Sequence, residues 1–347
     1  MEIQKIYNRK GMIKVLFIGN YLSKHYGTNG PIEKLAPHCP SIGVNAILAS
    51  GIQNKYLRLV HMCLYTLFCN YKLIHIDVYS GAAFRYALFC SKLSKFRKKT
   101  VIINLHGGML TELFEKDPNR INKLFENSDH ILTPSLFLQD YFQKQNFKVH
   151  YLPNAIDFLR FPFKRDKVKP YSLLWVRAFD SIYSPEVAIN SLLEVKKEFP
   201  STSLTMIGPD KGKRSDIEYL IKKNNLQDSV TLTGAIPNTE LFKYYQTHQV
   251  FLNTTQYESF GVCITEAASC GIPIISNNVG EISFLWENET NCLLVEKNSI
   301  EEFSKYIKRV FNESELNIKL SEKAKFNIEK FKLPKIILKW KELFQKI

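Results

Sequence analysis

The richest chemistry in the sequence lies at Gln249–Gly280, which reads QVFLNTTQYESFGVCITEAASCGIPIISNNVG. An apolar run (VFLN) leads into a polar loop (TTQYESFG), a helical stretch (VCITEAASC), a glycine–proline break and a second apolar run (IPIIS). The loop ends in Phe260-Gly261 at the helix start, where unpaired backbone N–H groups and the positive end of the helix dipole favour an anion. Glu258 stands just before that helix and Glu266 inside it, with seven residues between them. One carboxylate is therefore at the helix mouth and the other about a turn and a half further in. Two acceptors flanking an anion site suit a ligand with hydroxyls at both ends and phosphate between. A nucleotide sugar has that shape.

The elements that must position these residues alternate along the whole chain. Apolar runs rich in Val, Ile and Leu read as strands at Ile13–Gly19, Val44–Ala49, Leu73–Val78, Thr100–Leu105, His130–Thr133 and Val149–Leu152. Helical patterns fall between them, near Ile32–Pro37, Lys55–Asn70, Ala82–Leu93, Asn119–Ser128 and Ser135–Gln145. A polar, proline-bearing connection at Phe161–Pro170 interrupts the pattern, which then restarts. The second set of strands is Ser172–Val176, Leu204–Ile207, Val230–Thr233, Gln249–Leu252, Pro273–Ser276 and Cys292–Val295, followed by closing helices at Ile300–Asn312, Glu315–Lys330 and Pro334–Gln345. Strands apolar on both faces and separated by helices belong to parallel sheets covered on both sides. The expected class is α/β, two doubly wound sheets joined by a linker, with ligands beyond the carboxyl ends of the strands and in the cleft between the domains.

Composition narrows the function. With 347 residues, 45% hydrophobic and 23% charged, the chain is an ordinary globular protein. The longest apolar stretch, Leu59–Cys69, is too short to span a bilayer. The opening MEIQKIYNRKGMIKVLFIG fails as a signal peptide, and residues 1–11 read as a loose tail or an upstream start. Seven cysteines without a C-x-x-C pair point to a reducing cytosol and to neither a disulfide framework nor a zinc site. No D-x-D occurs, so no metal-bridged diphosphate is expected. The net charge of +14 is lopsided, with +13 up to Arg165 and +1 beyond it. A one-sided basic domain suggests an anionic surface or an acidic substrate. No zinc-finger, helix-turn-helix or RNP-like run points to nucleic acid.

The run Glu258-Ser259-Phe260-Gly261, then Thr265-Glu266-Ala267 and Cys270-Gly271-Ile272-Pro273, resembles the E-x7-E signature of retaining family-4 glycosyltransferases of GT-B fold. The resemblance implies that Glu258 holds donor-sugar hydroxyls, helped by the Phe260 and Gly261 backbone. Glu266 would bind the ribose hydroxyls, and the Val262 and Cys263 amides would face the diphosphate. Ser172–Arg177 (SLLWVR) resembles the family strand that ends in a diphosphate-binding arginine, making Arg177 the matching position. The family usually has a lysine shortly afterwards, but Ala178–Pro185 (AFDSIYSP) has none. Lys211, Lys213 and Arg214 are its candidate substitutes, or else solvated loop charges. Gly19–Gly30 resembles the glycine-rich loop that approaches donor phosphate and acceptor, with Gly27, Asn29 and Gly30 as contact positions or turn formers. His106, in NLHGG, matches the histidine that meets the donor sugar near the reacting carbon. Ser135 and Asn154–Asp157 match landmarks read as structural, and Gly280-Glu281 resembles a later glycine loop near the donor.

The resemblance further implies two Rossmann-like domains facing across a cleft. Residues 12–165 would hold the acceptor, residues 166–330 the nucleotide sugar, and residues 331–347 would form a helix crossing back onto the first domain. The implied reaction is metal-independent transfer of a sugar, UDP-linked in preference, to a glycan or lipid-linked acceptor hydroxyl in cell-envelope polysaccharide synthesis. It needs no cofactor, and the expected place is the cytoplasm, peripherally on the inner membrane face, where the basic first domain meets anionic lipid. The alternatives are a catalytically silent GT-B subunit, because the phosphate lysine is absent, and a sugar-nucleotide epimerase. Truncation of Glu258 or Arg177 to Ala is expected to abolish transfer with the fold intact.

Overall fold

Short Val/Ile/Leu runs bury side chains on both faces only where helices cover a sheet twice, and the chain does this two times over. The computed structural model describes residues 12–23, 30–107, 109–156, 158–165 and 167–347. It divides into one unit ending at Ala155 and completed by Leu333–Ile347, and a second formed by Ile156–Lys332.

The first unit contains strands β1 (Ile13–Ile18), β2 (Val44–Ala49), β3 (Leu73–Val78), β4 (Thr100–Leu105), β5 (His130–Thr133) and β6 (Val149–Tyr151). They form one parallel sheet in the order β2-β1-β3-β4-β5-β6. All residues of the central β3 are buried, as a sheet covered on both faces requires. Alternate side chains feed two cores. Leu16, Ile18, Ile74, Ile76 and Ile103 enter one, and Val15, Phe17, Leu73 and Ile102 enter the other. The second core is closed by the last helix, Leu333–Lys346, whose Ile336, Trp340 and Phe344 recur every four residues along one face.

The second unit contains β7 (Ser172–Val176), β8 (Ser203–Ile207), β9 (Val230–Gly234), β10 (Val250–Asn253), β11 (Ile274–Asn277) and β12 (Leu293–Val295), all parallel. Their order is β12-β11-β10-β7-β8-β9. Strand order reverses between β7 and β10 here, and between β1 and β3 in the first unit. Loops leaving such neighbours diverge to opposite faces and open a crevice at the carboxyl end of the sheet.

The units divide at Ala155–Ile156, ahead of the Phe161–Pro170 connection. That connection is fastened to the second unit. The Phe161 carbonyl accepts from Ser269 Oγ at 2.5 Å, and the Arg165 guanidinium donates to the carbonyls of His248 at 2.6 Å and Tyr245 at 3.0 Å. Gly27, Asn29, Asp157 and residues 1–11 lie outside the described residues. One helix, Leu110–Lys116, has no counterpart in the sequence reading. It spans two turns, too few to show a period, and is cut off by Asp117, whose side chain caps the next helix at the Arg120 amide.

His75 is the odd residue in the core beneath the last helix. It is fully buried between Phe17, at a ring distance of 5.3 Å, and Trp340, at 5.2 Å, and neither ring nitrogen has a hydrogen-bond partner among the described residues. Burial pushes its pKa down from 6.5 to about 4, against the pull of Asp77, so the ring is neutral. The unfolded chain then binds the extra proton between those two values. Stability is full above about pH 6.5 and falls toward pH 4, by on the order of 3 kcal/mol from this group. His75→Phe is expected to flatten that loss in urea titrations between these pH values, leaving the slope due to His248, which burial also pushes down to about 4. An unchanged slope would place the acid sensitivity elsewhere.

Candidate active site

The second unit gathers its chemistry where the strand order reverses. β7 ends in Val176, and the next residue, Arg177, is tied into the sheet by its amide, which donates to the Ile207 carbonyl at 3.0 Å. Gly208 follows β8 with φ of +155°, and a Cβ there would lie 1.8 Å from the Arg177 carbonyl oxygen. Only glycine lets these two strand ends approach so closely.

The Arg177 guanidinium meets three groups. Its Nη2 donates to Glu258 Oε2, and its Nε and Nη2 donate to Asn253 Oδ1 at 3.3 and 3.2 Å. Its carbon lies 5.1 Å from the Tyr183 ring centre. Asn253 terminates β10, and its Nδ2 donates to Ser276 Oγ at 2.9 Å, so the amide presents its oxygen to the arginine. The Arg177 and Glu258 side chains are each 10% exposed. Burial alone would weaken the guanidinium's hold on its proton; Glu258, Cys263 and Tyr183 together outweigh burial, and the pKa of Arg177 rises. The Tyr183 hydroxyl is pushed up by burial, against the pull of Arg177.

Glu258 is held as firmly. Its Oε1 accepts from the amides of Ser259 at 3.1 Å and Phe260 at 3.4 Å, and its carbonyl accepts from the Glu281 amide at 3.0 Å. Gly280 has φ of +52°, and a Cβ there would come within 2.3 Å of the Glu258 carbonyl oxygen. The Gly280-Glu281 turn thus clamps the backbone of Glu258.

The helix Val262–Cys270 begins at Gly261, which takes the left-handed conformation with φ of +81°. Val262 and Cys263 form the first turn of the helix, at the positive end of its dipole. Phe260 is buried against Phe331 at a ring distance of 5.1 Å, which anchors the helix entry. Glu266 is 3% exposed and accepts from Asn238 Nδ2 at 3.4 Å, so it is a buried polar group and not a solvated helix residue. The Tyr245 hydroxyl is buried with no hydrogen-bond partner among the described residues, and burial, Cys263, Glu266 and Cys270 all raise its pKa. A buried guanidinium, two carboxylates and a helix N-terminus therefore share one end of this sheet.

Three sequence expectations change. The resemblance assigns Glu258 and Arg177 to different parts of a donor, yet here each neutralises the other. Truncating either one strands a charge in a nearly buried place, so the fold is not indifferent to it. The Phe260 amide points at the Glu258 carboxylate itself. Of the three cations considered for the missing lysine, Lys213 pairs with Asp216 at 2.8 Å and Arg214 with Glu218 at 2.8 Å. Lys211 has no ion pair among the described residues, and its amide donates to the Phe179 carbonyl beside β7 at 3.0 Å.

The first unit supplies His106, immediately after β4 and 7% exposed. Its Nε2 lies 2.9 Å from Asp77 Oδ1, and its ring stacks on Tyr79 at 5.2 Å. A neutral imidazole facing a carboxylate carries its proton on the facing nitrogen, so Asp77 fixes the tautomer. Gly30 has ordinary extended geometry, with φ of −67°, and its amide donates to Glu33 Oε2 at 2.9 Å. Sequence reading missed Asp77, Asn253 and Tyr183. Asp77 carried a signal, since it is the lone acid between Glu33 and Glu112 and sits in an apolar run.

Residues 157–326 match the model of the family described as glycosyl transferases group 1. This segment is similar to the group 1 glycosyltransferases. A 185-residue stretch of the chain is 26% identical to glycogen synthase of Mycobacterium tuberculosis, covering 50% of this chain and 44% of that protein. The chain spans less than half the length of the curated relatives it matches. Among solved structures, sucrose-phosphate synthase from Thermosynechococcus elongatus superposes with a TM-score of 0.77 at 18% identity, over 96% of this chain and 98% of that one. HepE of Anabaena, in complex with UDP and glucose, superposes with a TM-score of 0.75 at 15% identity, over 96% of this chain and 100% of that one. The fold is that of the GT-B glycosyltransferases. Arg177, Glu258 and Glu266 all lie within the matched segment.

Two measurements follow from this geometry. Arg177→Ala and Glu258→Ala should each cost about 3 kcal/mol or more in urea unfolding, and the double variant should cost less than their sum. Additive costs would mean that the pair carries no coupling. Asp77→Asn keeps the shape but removes the carboxylate that orients His106, so the tautomer balance of the His106 ring, read from its 15N chemical shifts by NMR, should change relative to wild type. An unmoved resonance would disconnect the two residues.

Proposed function

We propose that the chain is a retaining family-4 glycosyltransferase that moves a sugar from a nucleoside diphosphate sugar to an acceptor hydroxyl. The observation that carries this reading is the convergence of Arg177, Glu258, Glu266 and the N-terminus of the helix Val262–Cys270 at the strand reversal of a segment similar to the group 1 glycosyltransferases. UDP is the favoured nucleotide, in keeping with the UDP held by the structural relative HepE. The acceptor is a glycan or lipid-linked sugar of cell-envelope polysaccharide synthesis, met in the cytoplasm at the inner membrane face.

In this mechanism the diphosphate takes over Arg177. A phosphate oxygen offers the guanidinium a stronger partner than a carboxylate already shared with two amides. Glu258, released from the arginine, turns its oxygens to the hydroxyls of the donor sugar. Glu266 accepts from the ribose hydroxyls, and the first-turn amides of Val262 and Cys263 face the phosphates. As the bond from the anomeric carbon to the phosphate oxygen breaks, negative charge gathers on the leaving diphosphate. Arg177 and the helix N-terminus stabilise it in place, with no metal required of the protein. The acceptor hydroxyl attacks from the face the diphosphate leaves and gives its proton to the departing phosphate oxygen. Configuration is thereby retained.

A second reading, a silent protein that binds a nucleotide without turning over, rests on Ile182, which stands where the family has its lysine, and on the surface ion pairs that occupy Lys213 and Arg214. Thermal unfolding against UDP, GDP, ADP, TDP, CMP and NAD tests the first reading. UDP at about 100 times its dissociation constant should stabilise by roughly 2.7 kcal/mol, and the gain should vanish in Glu266→Ala and Arg177→Ala. No shift with any nucleoside diphosphate would overturn the reading. A shift with UDP, but no hydrolysis or transfer of any UDP-sugar, would leave the silent, nucleotide-binding role.

A further inference from the structure

Two neighbouring helices of the first unit, Lys55–Phe68 and Phe84–Phe96, turn an unusual face to solvent. Their inner sides are satisfied: Met62, Phe84, Ala87 and Cys90 are buried in the core beneath. Two bonds lock the pair together, the Tyr86 hydroxyl donating to the Lys55 carbonyl at 3.2 Å and the Arg97 guanidinium to the Thr66 carbonyl at 2.8 Å. Their outer sides should then be polar. Instead, Leu57, Val60, Leu64 and Phe68 are exposed by 60%, 54%, 48% and 78%. At 100° per residue, Leu57, Leu64 and Phe68 fall on one line along the helix, with Val60 beside it. The second helix adds Phe89 and Phe96, exposed by 53% and 83%. Scattered exposed apolar residues need no explanation, but two adjacent helices presenting six of them do.

The charges carried by these helices and the segment between them are almost all basic, and of their lysines Lys95 is paired with Asp129. From Lys55 to Lys99 the chain carries nine basic residues and a single acid, Asp77, which is buried and bonded to His106. Lys55, Lys72, Arg85, Lys92 and Lys98 are exposed and have no ion pair among the described residues. No helix among the described residues is long and apolar enough to cross a membrane. Aromatic and aliphatic side chains on one helical face, flanked by lysine and arginine, are what an interfacial helix uses to enter the boundary between headgroups and acyl chains.

We propose that these two helices form a docking surface for an anionic lipid bilayer. Phe68 and Phe96 insert at the level of the acyl boundary, while the lysines and Arg85 meet the headgroup phosphates. A second copy of the chain fits poorly, because pairing two such faces would bring like charges together without a carboxylate between them. The surface gives the peripheral membrane placement above a location on the molecule. It stands on side chains of the first unit alone, so it is tested by lipid binding and not by sugar transfer.

The test is co-sedimentation of the full chain with vesicles of phosphatidylcholine alone or with one third phosphatidylglycerol, at low and high salt. Binding should favour the anionic vesicles and weaken with salt, each lysine contributing about fivefold to affinity. Phe68→Asp with Phe96→Asp should reduce it at least tenfold, and so should Lys92→Glu with Lys98→Glu. All four positions are solvent-facing, and unchanged thermal unfolding and UDP binding would show the fold preserved. Equal binding to both vesicle types, or either paired variant binding like the wild type, would overturn the proposal. So would light scattering that shows a dimer lost in the phenylalanine pair without vesicle binding by the wild type, which would give the face to a second copy.

Discussion

A guanidinium that is nearly buried must be neutralised, and much of the second unit is arranged around doing so for Arg177. Asn253, at the end of the neighbouring strand, aims its amide oxygen at it because Ser276 holds the amide's other end. Glu258 completes the set from the following loop, and Gly280 and Phe260 keep that loop in place by a close backbone approach and a buried ring. In the proposed reaction this pair is also a reserve of binding groups, since the partners of the free protein become the ligands of donor phosphate and donor sugar. Its electrostatic cost is met before the ligand arrives, which is the condition for strong stabilisation of developing charge.

The parallel sheets make that arrangement possible. Every strand runs the same way, so each unit sends all its carboxyl-end loops to one side, and the reversal of strand order sets two of them apart. In the second unit these loops bring Arg177 and Glu258. In the first unit the same end carries the dyad of Asp77 and His106, from the ends of the adjacent strands β3 and β4. Each unit thus places one charge-stabilised side chain where its sheet architecture favours a ligand.

The strands were legible because their burial on both faces leaves uninterrupted apolar runs, and nearly every boundary falls within a residue of the run that marks it. The motif around Glu258 and Glu266 was legible for the same reason, being a polar loop and a helix caught between two such runs. Partnership was not legible. Nothing in the spacing of residues 177 and 258 says that they touch, because the contact depends on which strands are neighbours in the sheet. Asp77 was hidden inside a strand that otherwise reads as core, and the exposed phenylalanines were hidden inside helices that otherwise read as amphipathic. The unit boundary went astray because the Phe161–Pro170 segment has linker composition, while its packing rests on Arg165 and on the Phe161 carbonyl.

The helix Leu333–Lys346 closes a core whose other buried residues lie between Val15 and Leu152. During synthesis, Val15, Phe17 and Ile102 emerge from the ribosome long before Ile336, Trp340 and Phe344 exist to cover them. The second unit, contiguous in sequence, can finish folding in that interval. The first sheet must wait with one side uncovered until Ile336, Trp340 and Phe344 have emerged. Its vulnerable period is set by translation time, and a chain ending before Ile336 would keep a complete second unit attached to a sheet that never closes.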